Sequence, residues 1–469
     1  MPSGGGKPLD RSIVEGPIPR AVWLIAWPTM VQNLIGGLQG VVDHALVGRF
    51  VGYAGNAAIG VAIQIFIVVI AFVMSVFSGM GVLVARFAGA NDIAKVNRTV
   101  YQAFLAAVAL WGGVLAPLGW VLAPSLLGLV NAAPAVRAEA LPFLRITFVG
   151  SLGMLLFFMM GGALRAAGDA RTPLRLGVFL TVLNIACNVA FITGLGPFPR
   201  LGTAGAAVGS AVAGIVMSGL AVYLLFSGRL PVTWHRGMDW RPDWGIIRAL
   251  FRFGLPTGFQ GIAMNVAGVL LLRFIGALAQ SAEAQAAYAV GYGELFSFIT
   301  WTSVGLMGAA AAVAGQNLGA RRPERAVHGV HVAAGIGLAV AAAIGLLFIT
   351  IPRSLLALFG MTDPVVVGLG TRLLGFLSVS GLFVTVALTY TGGLQGTGDT
   401  RSPLYISIVS QILVPLGLCA LLEARRDLRP ADIWTAILLG HMTRCALSVL
   451  RFRQGKWRTI RVDMEPARP

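Results

Sequence analysis

The chain has 469 residues, 57% of them hydrophobic and 11% charged, against about 25% charged in soluble domains. So few charged groups cannot cover a water-facing surface, and 61 glycines suit helices packed closely in lipid. The formal charge of +17 comes from cations that recur singly and in small groups between apolar stretches, which fits a membrane topology and excludes nucleic acid as the partner.

The N-terminal tail, 1–20, has no apolar core of a secretory signal, so the first hydrophobic helix is expected to stay in place. A spanning helix needs about 20 mainly apolar residues. That length finds twelve spans at 21–47, 54–84, 97–123, 138–164, 173–195, 203–227, 245–278, 283–314, 326–351, 365–392, 403–422 and 431–452. The fold class is therefore an all-α membrane protein. With the N-terminus in the cytoplasm, 24 of the 35 Lys and Arg fall on that side, Lys7, Arg236 and Arg468 among them, and ten on the other. Arg444, inside the last span, is set aside. This asymmetry places both termini of a multi-pass membrane protein in the cytoplasm. The loop carrying Arg425, Arg426 and Arg429 runs against it.

The halves repeat. GALRAAGDARTPL at 162–174 matches GGLQGTGDTRSPL at 392–404 at an offset of 230, and ARFAGA at 85–90 matches GQNLGA at 315–320. Pro28, Thr29 and Gln32 match Pro256, Thr257 and Gln260 at 228. Six spans per copy give both copies one orientation, related by an axis along the membrane normal. The expected organisation is an N-lobe (21–227), a cytoplasmic linker (228–244), a C-lobe (245–452) and a C-terminal tail (453–469). The repeated motif reads as a capping turn: Gly168 and Gly398 end one helix, and Thr172-Pro173 and Ser402-Pro403 fill the N-cap and N1 of the next.

No phosphate-binding Gly-rich loop ending in Lys-Ser/Thr and no HExxH occur, so nucleotide hydrolysis and zinc catalysis within the chain are excluded, and the chain is not read as an enzyme. Cys187, Cys419 and Cys445 lie in or at the ends of apolar stretches and imply no disulfide framework. His328 and His331 read as surface residues. Ionisable groups inside spans cost roughly 2.5–3.5 kcal/mol at mid-membrane and are functional candidates. Asp43 and Glu294 are the acids so placed. Asp43 is either a proton or cation acceptor, or an acid close enough to the periplasm to be solvated, or one paired with Arg49 or His44. Asn184 and Asn188, one turn apart, either partner Asp43 or join helices. Glu294, among Tyr292, Phe296, Phe298 and Trp301, suits an organic cation by charge and cation–π attraction, or bonds helix ends. Pro28 removes a backbone hydrogen bond in the helix of Asp43 and marks a hinge. Gln32, Gln64, Gln260 and Asn265 join Tyr292 and Trp301 as candidate cavity residues.

The ordered segments VVDHALVGR, GMGVLVARFAGA, GALRAAGDARTP, GAAAAVAGQNLGARRPERA and GLQGTGDTRSP resemble the multidrug and toxic compound extrusion (MATE) family over about residues 20–455. The resemblance implies two six-helix lobes in a V around a central cavity. It also implies export, by alternating access, of amphipathic, often cationic organic compounds in exchange for H⁺ or Na⁺, with no cofactor. The family's helix 1 acid and proline fall on Asp43 and Pro28, its helix 5 Asn on Asn184, and its frequent helix 8 acid on Glu294. Asn188 stands where one branch has Asp, and 255–278 and 373–392 hold no acid, which favours H⁺ over Na⁺, with Na⁺ at Asp43 the alternative. The expected protein is a monomer. The rival readings are a lipid-linked saccharide flippase, which needs two or more of Arg145, Arg273 and Arg444 facing one cavity, and a non-exchanging channel or scaffold.

Overall fold

A computed structural model describes residues 8–130, 133–235 and 237–462; Lys7, Arg236 and Arg468, counted in the charge asymmetry, lie outside them. In chain order the helices are α1 (Ser12–Glu15), α2 (Ile18–Phe50), α3 (Tyr53–Gly89), α4 (Ile93–Leu110), α5 (Ala116–Leu129), α6 (Pro134–Gly150), α7 (Leu152–Ala166), α8 (Arg171–Thr193) and α9 (Thr203–Phe226). They continue with α10 (Trp244–Gly276), α11 (Ser281–Tyr288), α12 (Phe296–Gly319), α13 (Pro323–Thr350), α14 (Pro352–Leu358), α15 (Pro364–Thr397), α16 (Arg401–Ser407), α17 (Val414–Glu423) and α18 (Pro430–Arg453). Short π-helical turns at Trp111–Leu115, Ala289–Leu295 and Ile408–Leu413 join α4 to α5, α11 to α12 and α16 to α17 into continuous rods.

Eleven rods among the described residues are long and apolar enough to cross a membrane, twelve when α6 and α7 count as one. Those two meet at 48°, a bend the sequence does not announce. The break at Ser151 lies against small residues of α9. A Cβ on Gly150 would strike Ala211, and one on Gly153 would lie 2.6 Å from the backbone of Gly214. The broken backbone is thus covered by protein instead of lipid. Most span ends run a few residues beyond the sequence expectation, because polar and charged residues such as Arg86 and Arg451 sit on the terminal turns.

The repeated turn is built differently from expectation. Gly168 (φ 104°) and Gly398 (φ 100°) take the left-handed conformation, and the amides of Asp169 and Asp399 close on the carbonyls of Leu164 (2.8 Å) and Leu394 (2.9 Å). The next helices, however, start two residues before Pro173 and Pro403, and neither Thr172 nor Ser402 is the cap. The carboxylates of Asp169 and Asp399 accept instead from the amides of Thr172 (3.0 Å) and Ser402 (3.2 Å). A carboxylate wins because it takes the backbone amide and the hydroxyl of the same residue together, at 2.6 Å for Thr172 and 2.7 Å for Ser402. Asp399 also pairs with Arg451 at 2.8 Å.

Two compact units divide the described chain. Unit 1 comprises Leu34–Leu255 with residues 8–11 and Val462; unit 2 comprises Ser12–Asn33 and Pro256–Arg461. In unit 1, α3 and the first part of α10 touch backbone to backbone: a Cβ on Gly79 would meet the Leu250 carbonyl, and one on Gly254 the Ser75 carbonyl. The segment before α10 is fastened to α4. Asn97 accepts from the Thr233 amide (2.9 Å), Gln102 donates to the Arg241 carbonyl (2.8 Å), and Arg98 pairs with Asp243 (3.0 Å). In unit 2 the segment before α2 is fastened in the same manner. Ile13 and Val14 are buried, while Asn317, Arg322 and Arg325 donate to the carbonyls of Ile13 (3.2 Å), Val14 (2.9 Å) and Gly16 (2.6 Å).

Candidate functional site

Asp43 projects from α2 in unit 1, where the Nδ2 group of Asn188 donates to its carboxylate at 2.9 Å. The same nitrogen donates to Asn184 Oδ1 (3.0 Å), and Asn184 donates to the Ser210 hydroxyl (3.0 Å). Both asparagines are fully buried. Asp43 is half-buried at the end of this chain of bonds. The order follows from helix geometry: positions 184 and 188 stack one turn apart on one face of α8, and α9 approaches that face without a side chain in the way. Gly209 makes the approach possible, since a Cβ there would strike Asn188 Oδ1 and lie 2.7 Å from the Asn188 amide.

The neighbouring polar pairs complete the site. His44 does not turn to Asp43 for its hydrogen bond; its Nδ1 pairs with Asn56 at 2.6 Å. Thr181, one turn before Asn184, donates to Gln39, one turn before Asp43, at 3.0 Å. Helical spacing from Asp43 and Asn184 would have found Gln39 and Thr181. Ser210, Gly209 and Asn56 carry no sequence signal that ties them to the acid. The Asp43 carboxylate thus sits in a span with the side-chain amides of Asn188 and Gln39 as its neighbours.

The remaining candidates lie elsewhere. Glu294 belongs to unit 2, half-buried on the π-helical turn Ala289–Leu295, and forms no ion pair or hydrogen bond among the described residues. Gln260 is buried and engaged, donating to Ser407 (2.7 Å) and accepting from Gln395 (3.1 Å). Asn265 is exposed and bonded to its own helix at the Gly261 carbonyl (2.9 Å). Gln64 is exposed on α3 and Gln32 half-buried on α2. Tyr292 stacks on Tyr288 with ring centroids 5.0 Å apart. Trp301 packs edge-on to Phe298, and its carbonyl accepts from Asn33 at 3.2 Å. Pro28 is buried within an unbroken α2, where the next residue, Thr29, returns its hydroxyl to the Ile25 carbonyl (2.7 Å), a bond that favours bending.

Eleven or twelve apolar rods with buried polar side chains between them define a multi-pass membrane protein. The MatE family pattern matches residues 28–190 and 256–421, one block in each half. The chain belongs to the MatE family of transporters. It is 30% identical over 443 residues to the probable multidrug resistance protein NorM of Deinococcus radiodurans, covering 92% of this chain and 94% of that one. The probable multidrug resistance protein NorM of Thermotoga maritima is 26% identical over 438 residues, 92% of each chain. A solved structure described as the outward-facing conformation of a multidrug resistance MATE family transporter superposes with a TM-score of 0.88, covering 97% of this chain and 100% of that one at 21% identity, and so shares the fold.

Proposed function

We propose that the protein is a secondary active antiporter of a bacterial inner membrane, both termini cytoplasmic, exporting amphipathic, cationic organic compounds in exchange for H⁺ by alternating access between its two halves. The observation that carries this reading is the bond from Asn188 to Asp43, backed by Asn184 and Ser210. Protonation of Asp43 removes the charge that holds Asn188, frees α2 to rearrange about Pro28, and releases substrate. The site holds a single carboxylate and no second acid among its bonded neighbours, which favours a proton over Na⁺. Substrate charge couples to membrane potential at about 2.3 kcal/mol per elementary charge per 100 mV. Glu294, unpaired beside an aromatic row, is the acid for a substrate's cationic end. The names of the curated relatives support multidrug export.

The flippase reading is not favoured. Arg145 donates to the Trp120 carbonyl at 3.3 Å and lies over its ring, and Arg273 is exposed beside Phe274, so neither builds a phosphate cradle with buried Arg444. The test uses proteoliposomes with H⁺ and Na⁺ gradients imposed separately on a fluorescent organic cation. Efflux is expected with the H⁺ gradient alone and lost in Asp43→Asn. Gradient-driven efflux that survives Asp43→Asn removes the proposal.

A further inference from the structure

Helix α18 carries a stripe of buried polar atoms that nothing satisfies. Trp434, His441, Arg444 and Ser448 are all at most 5% exposed, and Trp434 Nε1, His441 Nδ1, Arg444 Nε and Ser448 Oγ have no hydrogen-bond partner. Their spacing of seven, three and four residues puts them on one helix face. An orphaned buried donor costs about 1–3 kcal/mol and calls for a partner. Two of these atoms, the indole and guanidinium N–H groups, are donors only, and the others can donate, so the missing partner is an acceptor. Arg444 adds a full positive charge inside a span and forms no ion pair among the described residues.

A cavity of about 130 Å³ reaches this face at His441 and is lined also by Tyr288, Tyr292 and Gln411. Tyr292 and Arg444 are electrostatic neighbours. Two of the lining residues come from the π-helical turns Ala289–Leu295 and Ile408–Leu413, irregularities that recur at functional sites. Pockets for drug-sized molecules run to roughly 300–1,000 Å³, so this one takes a small group. A larger cavity of about 740 Å³, lined by Arg372, Arg429 and Trp434, adjoins the stripe through Trp434, whose ring stacks on Tyr288 at 6.1 Å. Its arginines give an approach of positive potential.

We propose that the α18 face and its cavity bind a small monovalent anion, held by Arg444, His441 and the hydroxyl of Tyr292. The shared chemistry is a compact acceptor of single charge, either a halide ion or the carboxylate end of a substrate. The carboxylate form rests on the transport reading above; the halide form does not.

The experiment follows thermal unfolding of the purified full-length protein at constant ionic strength. Sodium isethionate, a sulfonate with no carboxylate, is replaced by sodium chloride in one series and by sodium acetate in another. At a hundredfold excess over the dissociation constant the midpoint is expected to rise by about 2–3 °C and saturate. A rise with chloride identifies a halide site; a rise with acetate alone identifies a carboxylate site. Arg444→Gln is expected to abolish the rise while melting no lower than wild type in isethionate, since it removes an uncompensated buried charge. Tyr292→Phe, which removes one hydroxyl, is expected to weaken anion binding about 5–30-fold and serves if Arg444→Gln does not fold. No saturable rise with either salt overturns the proposal, as does an unchanged rise in a folded Arg444→Gln or, where that variant does not fold, in Tyr292→Phe.

Discussion

Gly209 never touches Asp43, yet the geometry makes Gly209→Ala a test of the whole polar chain. On helix propensity alone the change is favourable by about 1 kcal/mol. Its Cβ, however, would lie 2.7 Å from the Asn188 amide and 2.8 Å from the Cys187 carbonyl carbon, and would strike Asn188 Oδ1. Backbone at that distance cannot yield as a flexible side chain can, so overpacking costs about 1–3 kcal/mol and exceeds the propensity gain. The structure relieves it by parting α8 from α9 or by turning Asn188 away, and either movement weakens the 2.9 Å bond to Asp43. A hydrogen bond to a charged group contributes about 1.5–3 kcal/mol, which converts to roughly 10–100-fold. Initial rates of proton-gradient-driven efflux, normalised to folded protein by size-exclusion chromatography, should fall by that factor. Gly219→Ala, on the same helix with no atom within 4 Å of the added carbon, is the control and should match wild type. A folded Gly209→Ala protein that transports at the wild-type rate, or an equal loss in the control, would refute the reasoning.

The two capping turns should differ in strength. Asp399→Asn removes a 5%-exposed carboxylate from Arg451, Ser402 and its own helix start, and should lower the melting temperature by several degrees more than Asp169→Asn, whose carboxylate serves only its own turn. Gln260→Leu should lower the melting temperature by about 2–5 °C, because it strands Ser407 and Gln395, whereas exposed Gln64→Leu should stay within about 1 °C. Arg325→Ala deletes bonds to Gly16 and Asn317, so hydrogen exchange should rise about tenfold or more in the amides of residues 13–16 and remain unchanged in α13 beyond its first turn.

The spans are legible because twenty apolar residues in a row leave the backbone few alternatives, and the repeat at offset 230 locates the matching turns. Hydropathy carries no record of the 48° bend at Ser151, since Gly and Ser are ordinary inside spans and the break depends on how closely α9 approaches. The three π-helical turns are equally silent in the hydropathy pattern. Around Asp43, helical periodicity placed Asn184 and Asn188 on one face, but which of the two reaches the carboxylate was decided by packing of α8 on α9. The α18 stripe was illegible for a related reason: Arg444 could be seen to lie in a span, while burial of His441 and Ser448 beside it depends on helices far away in sequence.

The fastening of Ser12–Glu15 has a consequence for biosynthesis. Its three captors, Asn317, Arg322 and Arg325, follow their acceptor carbonyls by 304 to 309 residues. At about 5–20 residues per second a ribosome needs roughly 15–60 s to deliver them. Through that interval the segment Ser12–Glu15, with Ile13 and Val14 unburied, waits for synthesis to reach the second repeat. Docking of this segment is therefore a late assembly step, and polypeptides truncated before Asn317 leave the ribosome with their first helix unanchored.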